Sequence, residues 1–418
     1  MNSNRGVLVA AVLALGWAGP ARADVVLDWN ELAARLIVGP GGASKVPPLG
    51  LVDLAIVHTA IYDAVNAVEG FPFEPYGSEP TVTTPASAEA AAARAGRDVL
   101  LALYPSRSGD IEALYGDSLN AVPDGPAKDN GIDAGRQAAA GILALRANDG
   151  RNAGTPIVEP PAEPGVWIRT PPGLLAPQAP WAAAITPWTL ERPDQFRPEE
   201  PPALDSTDWV RDYDEVKALG PVTNSTRTAE QTDIGRFWGD QPMLQWNRAW
   251  RGISTAAGLS VQDNARFFAM LAASSSDALI ACWDAKYHYM FWRPVTAIRA
   301  GGGNPALTGD PSWLGLVTAP NHPEYPAAHG CFSGASTETL SYFFGTDDFT
   351  FTVTSNFPGV TTLVHTYSSF SQALQEVLEA RIYGGMHYRN STHKGAILGK
   401  QVSHFATRHF FRPKHGKR

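Results

Sequence analysis

Two cysteines in 418 residues exclude a disulfide-dense scaffold and any structural zinc site built from cysteine alone. Charge is scarce as well. Asp, Glu, Lys and Arg make up 18% of the chain, and their balance of −8 disfavours nucleic acid or an anionic membrane surface as a partner. There is no H-E-x-x-H, no P-loop, no dinucleotide glycine fingerprint and no G-x-S-x-G elbow; Gly330-Cys331-Phe332-Ser333-Gly334 has the wrong spacing for the last. Internal repeats and low-complexity tracts are missing, and no run beyond the N-terminal region is expected to be apolar for long enough to cross a membrane. Aromatic residues, by contrast, are plentiful (12 Trp, 12 Tyr, 17 Phe). They argue against general disorder, and the length gives a prior of roughly two domains.

Residues 1–23 have the pattern of an export signal. Arg5 precedes an apolar stretch from Gly6 to Ala18, and Ala21-Arg22-Ala23 is a small-x-small cleavage site before Asp24. Loss of Arg5 and Arg22 takes the net charge to −10. The expectation is a secreted or periplasmic protein, mature from Asp24.

Helical periodicity dominates the rest. Leu51, Leu54, Ala55, His58, Ile61, Tyr62, Val65 and Val68 recur at three and four residues, one face of a helix. Segments 86–103, 132–147, 227–239, 262–282, 330–344, 369–382 and 393–408 read likewise. Between 155 and 204 proline reaches a density that no regular element tolerates, and Trp167, Trp181 and Trp188 there favour an ordered connection over a free linker. Alternation over Phe349–Val353, a Pro358-Gly359 turn and β-branched residues up to Tyr367 predict one short hairpin.

Cations and histidines concentrate in three segments. Lys286 and Arg293 are seven residues apart, which on a helix puts both on one face, with Pro294 ending or kinking it. Two cations with few acids nearby suit a bound oxyanion. In His322-Pro323-Glu324-Tyr325-Pro326-Ala327-Ala328-His329, the small Ala327 and Ala328 let backbone N–H groups approach an anion at a helix start, where His329 can exchange a hydrogen bond with it. In Arg381-Ile382-Tyr383-Gly384-Gly385-Met386-His387, the two glycines can end a helix and turn His387 back toward Arg381. Each histidine alone is more often structural; the joint pattern is specific.

That joint pattern resembles the vanadium-dependent haloperoxidases and type-2 phosphatidic acid phosphatases. Their signature is Lys-x6-Arg-Pro, then Pro-Ser-Gly-His, then an arginine followed by Gly-x-His. Lys286, Arg293 and Pro294 match the first part, Pro326 and His329 the second, and Arg381, Gly385 and His387 the third. Ala327 and Ala328 replace the Ser and Gly of the second part, and the acid often found just after the last histidine is absent from Tyr388-Arg389-Asn390-Ser391. Trp292 to Arg299 and His58 to Asn66 look like the soluble haloperoxidase branch.

The resemblance implies a mainly α fold of two packed helical bundles with one short β-hairpin: an N-terminal bundle at 24–154, the Pro/Trp-rich connection at 155–204, and a catalytic bundle at 205–418 with its core at about 262–408. It further implies that Lys286, Arg293, Arg381 and the backbone N–H near Ala328 hold the oxygens of vanadate, or of phosphate in the same place. His387 would be the apical metal ligand, His329 the acid/base, and Lys286 would polarise bound peroxide. Hydrogen peroxide, a halide and a small organic acceptor would be the reactants. The rival activity is an acid phosphatase that splits a phosphomonoester through a phosphohistidine on His387; the rival from outside enzymes is a non-catalytic oxyanion-binding protein. His322, a histidine in bromoperoxidase-type members, together with the missing hydroxyl at Ala327, implies turnover of bromide and iodide with little of chloride. Cys282 and Cys331, one in each of two converging segments, are expected either to bridge or to stay as two buried thiols.

Overall fold

The computed structural model describes residues 24–414; the expected export signal lies outside them. Five helices precede the connection: α1 (Val25–Val38), α2 (Pro47–Val68), α3 (Ala88–Leu103), α4 (Ser108–Asn120) and α5 (Pro126–Leu145). After it come α6 (Thr207–Leu219), α7 (Ala229–Phe237), α8 (Pro242–Ala257), α9 (Val261–Tyr289), α10 (Pro294–Ala300) and α11 (Ala328–Phe344). The hairpin β1 (Asp348–Thr354) and β2 (Val364–Ser369) follows, then α12 (Phe370–Tyr383) and α13 (Arg389–His409). The starts are chemically marked. Ser87, Ser206, Ser260 and Ser369 each accept the backbone N–H three residues on, and Pro opens α2, α5, α8 and α10.

The two bundles share one continuous apolar core. Trp29, Leu54, Ile61, Ala93 and Ile142 of the first lie in the same cluster as Trp246, Phe268, Leu279, Phe332 and Leu398 of the second. At its centre α2 packs along α9. By length and composition both helices could cross a membrane, which corrects the expectation that no such run exists; 94% of each apolar window is buried inside the protein, so their apolarity serves the core.

The Pro/Trp-rich segment is ordered and laid across α9. Asp277 of that helix accepts the backbone N–H groups of Trp188 (2.6 Å), Thr189 (2.7 Å) and Leu190 (3.2 Å), and the Thr189 hydroxyl. Trp167 and Trp188 are buried.

Close approach of α11 to α13 fixes the position of the site. A Cβ on Gly330 would sit 2.6 Å from the Thr392 carbonyl, one on Gly334 2.5 Å from that of Ala396, and one on Gly399 would fall on the Cys331 carbonyl oxygen. Glycine is what lets these two backbones touch. In the hairpin, Phe351 pairs with Tyr367 and Val353 with His365.

Candidate active site

Lys286 lies in the last turn of α9, fully buried, its Nζ donating to the carbonyls of Pro323 (2.8 Å) and Glu324 (2.9 Å). Arg293 does not share that helical face. The helix stops at Tyr289, Met290 adopts a left-handed conformation, and Arg293 is extended at the start of α10, whose first residue is Pro294. The helix thus ends at the left-handed Met290, before the seven-residue spacing is complete, and Pro294 keeps Arg293 itself extended. Arg293 still reaches the same place. It donates through Nε to the His322 carbonyl (3.0 Å), through Nη1 to the Met386 carbonyl (3.0 Å) and His387 Nε2 (3.1 Å), and through Nη2 to His322 Nδ1 (3.0 Å).

A guanidinium can only donate, and this settles the tautomer of His387. His387 Nε2 must carry a lone pair, so its proton is on Nδ1, where it donates to Glu324 Oε1 at 2.7 Å. His322 Nδ1, by contrast, lies 3.0 Å from Arg293 Nη2 and 3.2 Å from the Pro323 carbonyl, a donor and an acceptor, so its contacts do not select one tautomer. The turn that delivers His387 requires Gly385: its φ is +73°, and a Cβ there would meet the Gly220 carbonyl at 2.6 Å.

Arg381, at the end of α12, donates to the Trp238 carbonyl (2.6 Å) and to Met386 Sδ (2.9 Å). The hairpin supports this contact from behind. Glu376 of α12 accepts from Trp238 Nε1 (3.0 Å), Tyr367 (2.7 Å) and His365 Nδ1 (2.7 Å), which fixes the tryptophan whose carbonyl holds Arg381. Ala327 and Ala328 stand at the start of α11, with His329 one residue into it.

Five of the seven residues singled out from sequence, His322, Ala328, His329, Arg381 and His387, line one cavity of about 240 Å³. Lys286 and Arg293 lie behind its wall, held by the 322–324 carbonyls. The residues fit a bound oxyanion on two counts. Arg381 Nε and His329 Nε2 are buried and have no hydrogen-bond partner among the described residues, so both are available to an anion. Three buried cations also face a single buried acid, Glu324. Burial pulls Lys286 down to about 8, Arg293 to about 10 and Arg381 to about 9, and the charge of Arg293 adds to the fall at Lys286 and Arg381. Burial raises Glu324 to about 7, against the pull of Arg293 and Lys286. His322, His329 and His387 are held well below the usual imidazole range by burial and then by these cations, so all three are neutral at pH 7.

Sequence reasoning overlooked Glu324. It sought an acid downstream of His387, whereas the carboxylate comes from 63 residues upstream. An acid amid prolines and aromatics, in a string already singled out for its histidines, was the available signal. Cys282 and Cys331 are both buried and both free thiols. Cys282 Sγ points at the Pro326 carbonyl at 3.6 Å.

Residues 266–416 match the family model of the VCPO second helical-bundle domain. The vanadium chloroperoxidase of Curvularia inaequalis is 24% identical over 392 aligned residues, 75% of this chain and 64% of that relative's length. Among solved structures, the first bacterial vanadium-dependent iodoperoxidase aligns with a TM-score of 0.79 at 23% identity, covering 93% of this chain and 97% of its own. The holo form of a bacterial vanadium-dependent chloroperoxidase aligns with a TM-score of 0.68 at 17% identity, over 93% and 95%.

Proposed function

Since this chain belongs to the superfamily of vanadium-dependent haloperoxidases and type-2 phosphatidic acid phosphatases, we propose that it is an exported, vanadate-dependent haloperoxidase that oxidises bromide or iodide with hydrogen peroxide to hypohalous acid. One observation carries the reading: a neutral imidazole, His387, lines a cavity together with Arg381, and its Nε2 lone pair accepts from Arg293 Nη1, one of two further buried cations behind the wall. Arg381 Nε, His329 Nε2 and the first N–H groups of α11 would take the oxygens of vanadate, Arg293 and Lys286 would offset charge from behind the wall, and His387 Nε2 would hold the metal in place of its hydrogen bond from Arg293. The bound metal supplies a Lewis acid that activates peroxide toward halide. His329, neutral at pH 7 because burial and the cations oppose its protonation, can accept a proton from an incoming peroxide and return it to a leaving oxygen.

The preference among halides rests on His322 and Ala327. The His322 ring packs against Trp283 at a tilt of 43° (4.8 Å between ring centres) and belongs to the cavity lining, while Ala327 offers no hydroxyl to the anion. Chloride is the hardest of the three halides to oxidise, and it is the one expected to be lost. The phosphatase reading also has an observation in its favour. A carboxylate-oriented imidazole is a competent nucleophile toward phosphorus, and His329 is placed to protonate the leaving oxygen.

Peroxide-dependent bromide oxidation, with and without added vanadate, tests the proposal beside p-nitrophenyl phosphate hydrolysis. Vanadate-dependent oxidation of bromide and iodide, at least tenfold faster than that of chloride, is expected. Phosphate ester hydrolysis without halide oxidation would replace this reading with the phosphatase.

A further inference from the structure

The cavity is larger than an oxyanion needs, and its lining is of two kinds. His329, Arg381 and His387 form a polar floor with one charge, whereas Leu279, Trp283 and Phe332 form an apolar, largely aromatic wall. Above that wall the Pro/Trp-rich connection contributes Gln178. Its backbone is locked on three sides: the N–H donates to the Asn321 carbonyl (2.8 Å), and the carbonyl accepts from Trp283 Nε1 (3.1 Å) and Tyr287 (2.8 Å). The next residue, Ala179, is buried at a φ of +44°, a conformation that a residue with a Cβ takes up only where its surroundings impose it.

The side chain of Gln178 is treated differently from its backbone. It lines the cavity half-buried and makes no hydrogen bond within the described residues. Its neighbours at the mouth are engaged: Asp240 pairs with Arg248 (2.6 Å), and the Gln241 side-chain oxygen caps α8. A rigidly held backbone therefore presents a free amide, one donor group and one acceptor, beside an indole and a phenyl ring.

We propose that this upper compartment binds the organic acceptor, a neutral monocyclic phenol, with its ring against Trp283 and Phe332 and its hydroxyl on the Gln178 amide. The proposal rests on the haloperoxidase reading and names the acceptor class for that same site. Gln178 is the specificity-determining residue: an aromatic ring alone fills the wall, and a ring bearing a hydroxyl also satisfies the amide. Hypohalous acid formed at the floor then meets a bound ring. A ring carbon activated by the hydroxyl attacks the halogen, the halogen–oxygen bond breaks, and the ring loses a proton, giving halophenol and water.

Binding to the full mature chain separates this inference from the activity. Equilibrium binding of p-cresol and of p-xylene is measured for the wild type and for Gln178→Leu, which keeps the size of the side chain and removes the amide. Wild type is expected to prefer p-cresol. The substitution should weaken p-cresol roughly five- to tenfold, the worth of one buried hydrogen bond, and leave p-xylene and inorganic phosphate affinities unchanged. Equal p-cresol affinity in both proteins, equal loss of both ligands, or no p-cresol binding at millimolar concentration would overturn the inference. Bromide oxidation is assayed on the same samples. Its absence alongside a Gln178-dependent p-cresol preference would refute the haloperoxidase reading and leave the phenol site standing.

Discussion

Glu324 and His387, 63 residues apart in sequence, meet at 2.7 Å through Oε1 and Nδ1, and the same carboxylate oxygen also accepts the backbone N–H of Tyr388 at 3.1 Å. Both side chains are buried. The pair fixes the ring's rotation and leaves the lone pair on Nε2, where Arg293 Nη1 donates to it at 3.1 Å. The acid that the family often places after its last histidine is here supplied from the other wall of the site.

Removing that carboxylate should loosen the ligand without emptying the site. In Glu324→Gln an amide can turn either its oxygen or its NH2 toward Nδ1, so ring and tautomer are no longer fixed. Vanadate affinity is expected to fall about 10- to 100-fold, the usual cost of losing a partner behind a metal-bound histidine. Titration of vanadate binding checks this. An unchanged affinity would mean that Arg293 alone orients His387.

Affinity for an anion should decline with alkaline pH, and Lys286 gives the decline its position. Burial lowers its folded-state value to about 8, so the amine is charged below that pH and neutral above it. Anion binding favours the charged form; affinity must therefore drop as pH rises through about 8, by at most about tenfold per unit. Sulfate, whose charge is constant over this range, is the clean probe. Glu324, at about 7, and Arg381, at about 9, push the same way. The Lys286 share is consequently the extra steepness of the wild type over Lys286→Met, centred near pH 8. Parallel curves for the two proteins would contradict it.

The contact between α11 and α13 should be intolerant of a single methyl group. Gly399→Ala drives a Cβ into the Cys331 carbonyl, and backbone cannot swing aside as a flexible side chain can. We expect a loss of about 3 kcal/mol, typical of overpacking without room to relax. The urea midpoint reads it, with Gly109→Ala, where a Cβ meets nothing within 4 Å, as the control. A shift no larger than the control's would show that the helices separate without cost.

Much of the fold was legible because burial leaves a period. The apolar stripe of α2, the alanine-rich α3 and α5 and the alternating hairpin all announce themselves. By contrast α4, with Ile111 as its one buried residue, and α10, seven residues long, carry too little pattern to be read. In α6 and α8 the stripe exists, Trp209, Tyr213 and Val216 in one and Met243, Trp246, Trp250 and Ile253 in the other, but prolines and polar residues around them mask it. The site was legible as an inventory of residues, since cations and histidines are conspicuous. Its geometry was not. Spacing placed Arg293 on the helix of Lys286, and Glu324, Trp238, Glu376 and Gln178 enter through contacts between segments far apart in the chain, for which a sequence has no periodic signature.

Three buried cations and His387 Nε2 together constitute one oxyanion site. Equilibrium dialysis of the purified protein against vanadate, wild type beside His387→Ala, tests it most directly, with circular dichroism to confirm that both are folded. One vanadate per wild-type chain is expected, displaced competitively by phosphate, with affinity at least tenfold weaker in His387→Ala. No stoichiometric binding by the wild type, or equal binding by the folded variant, would contradict it.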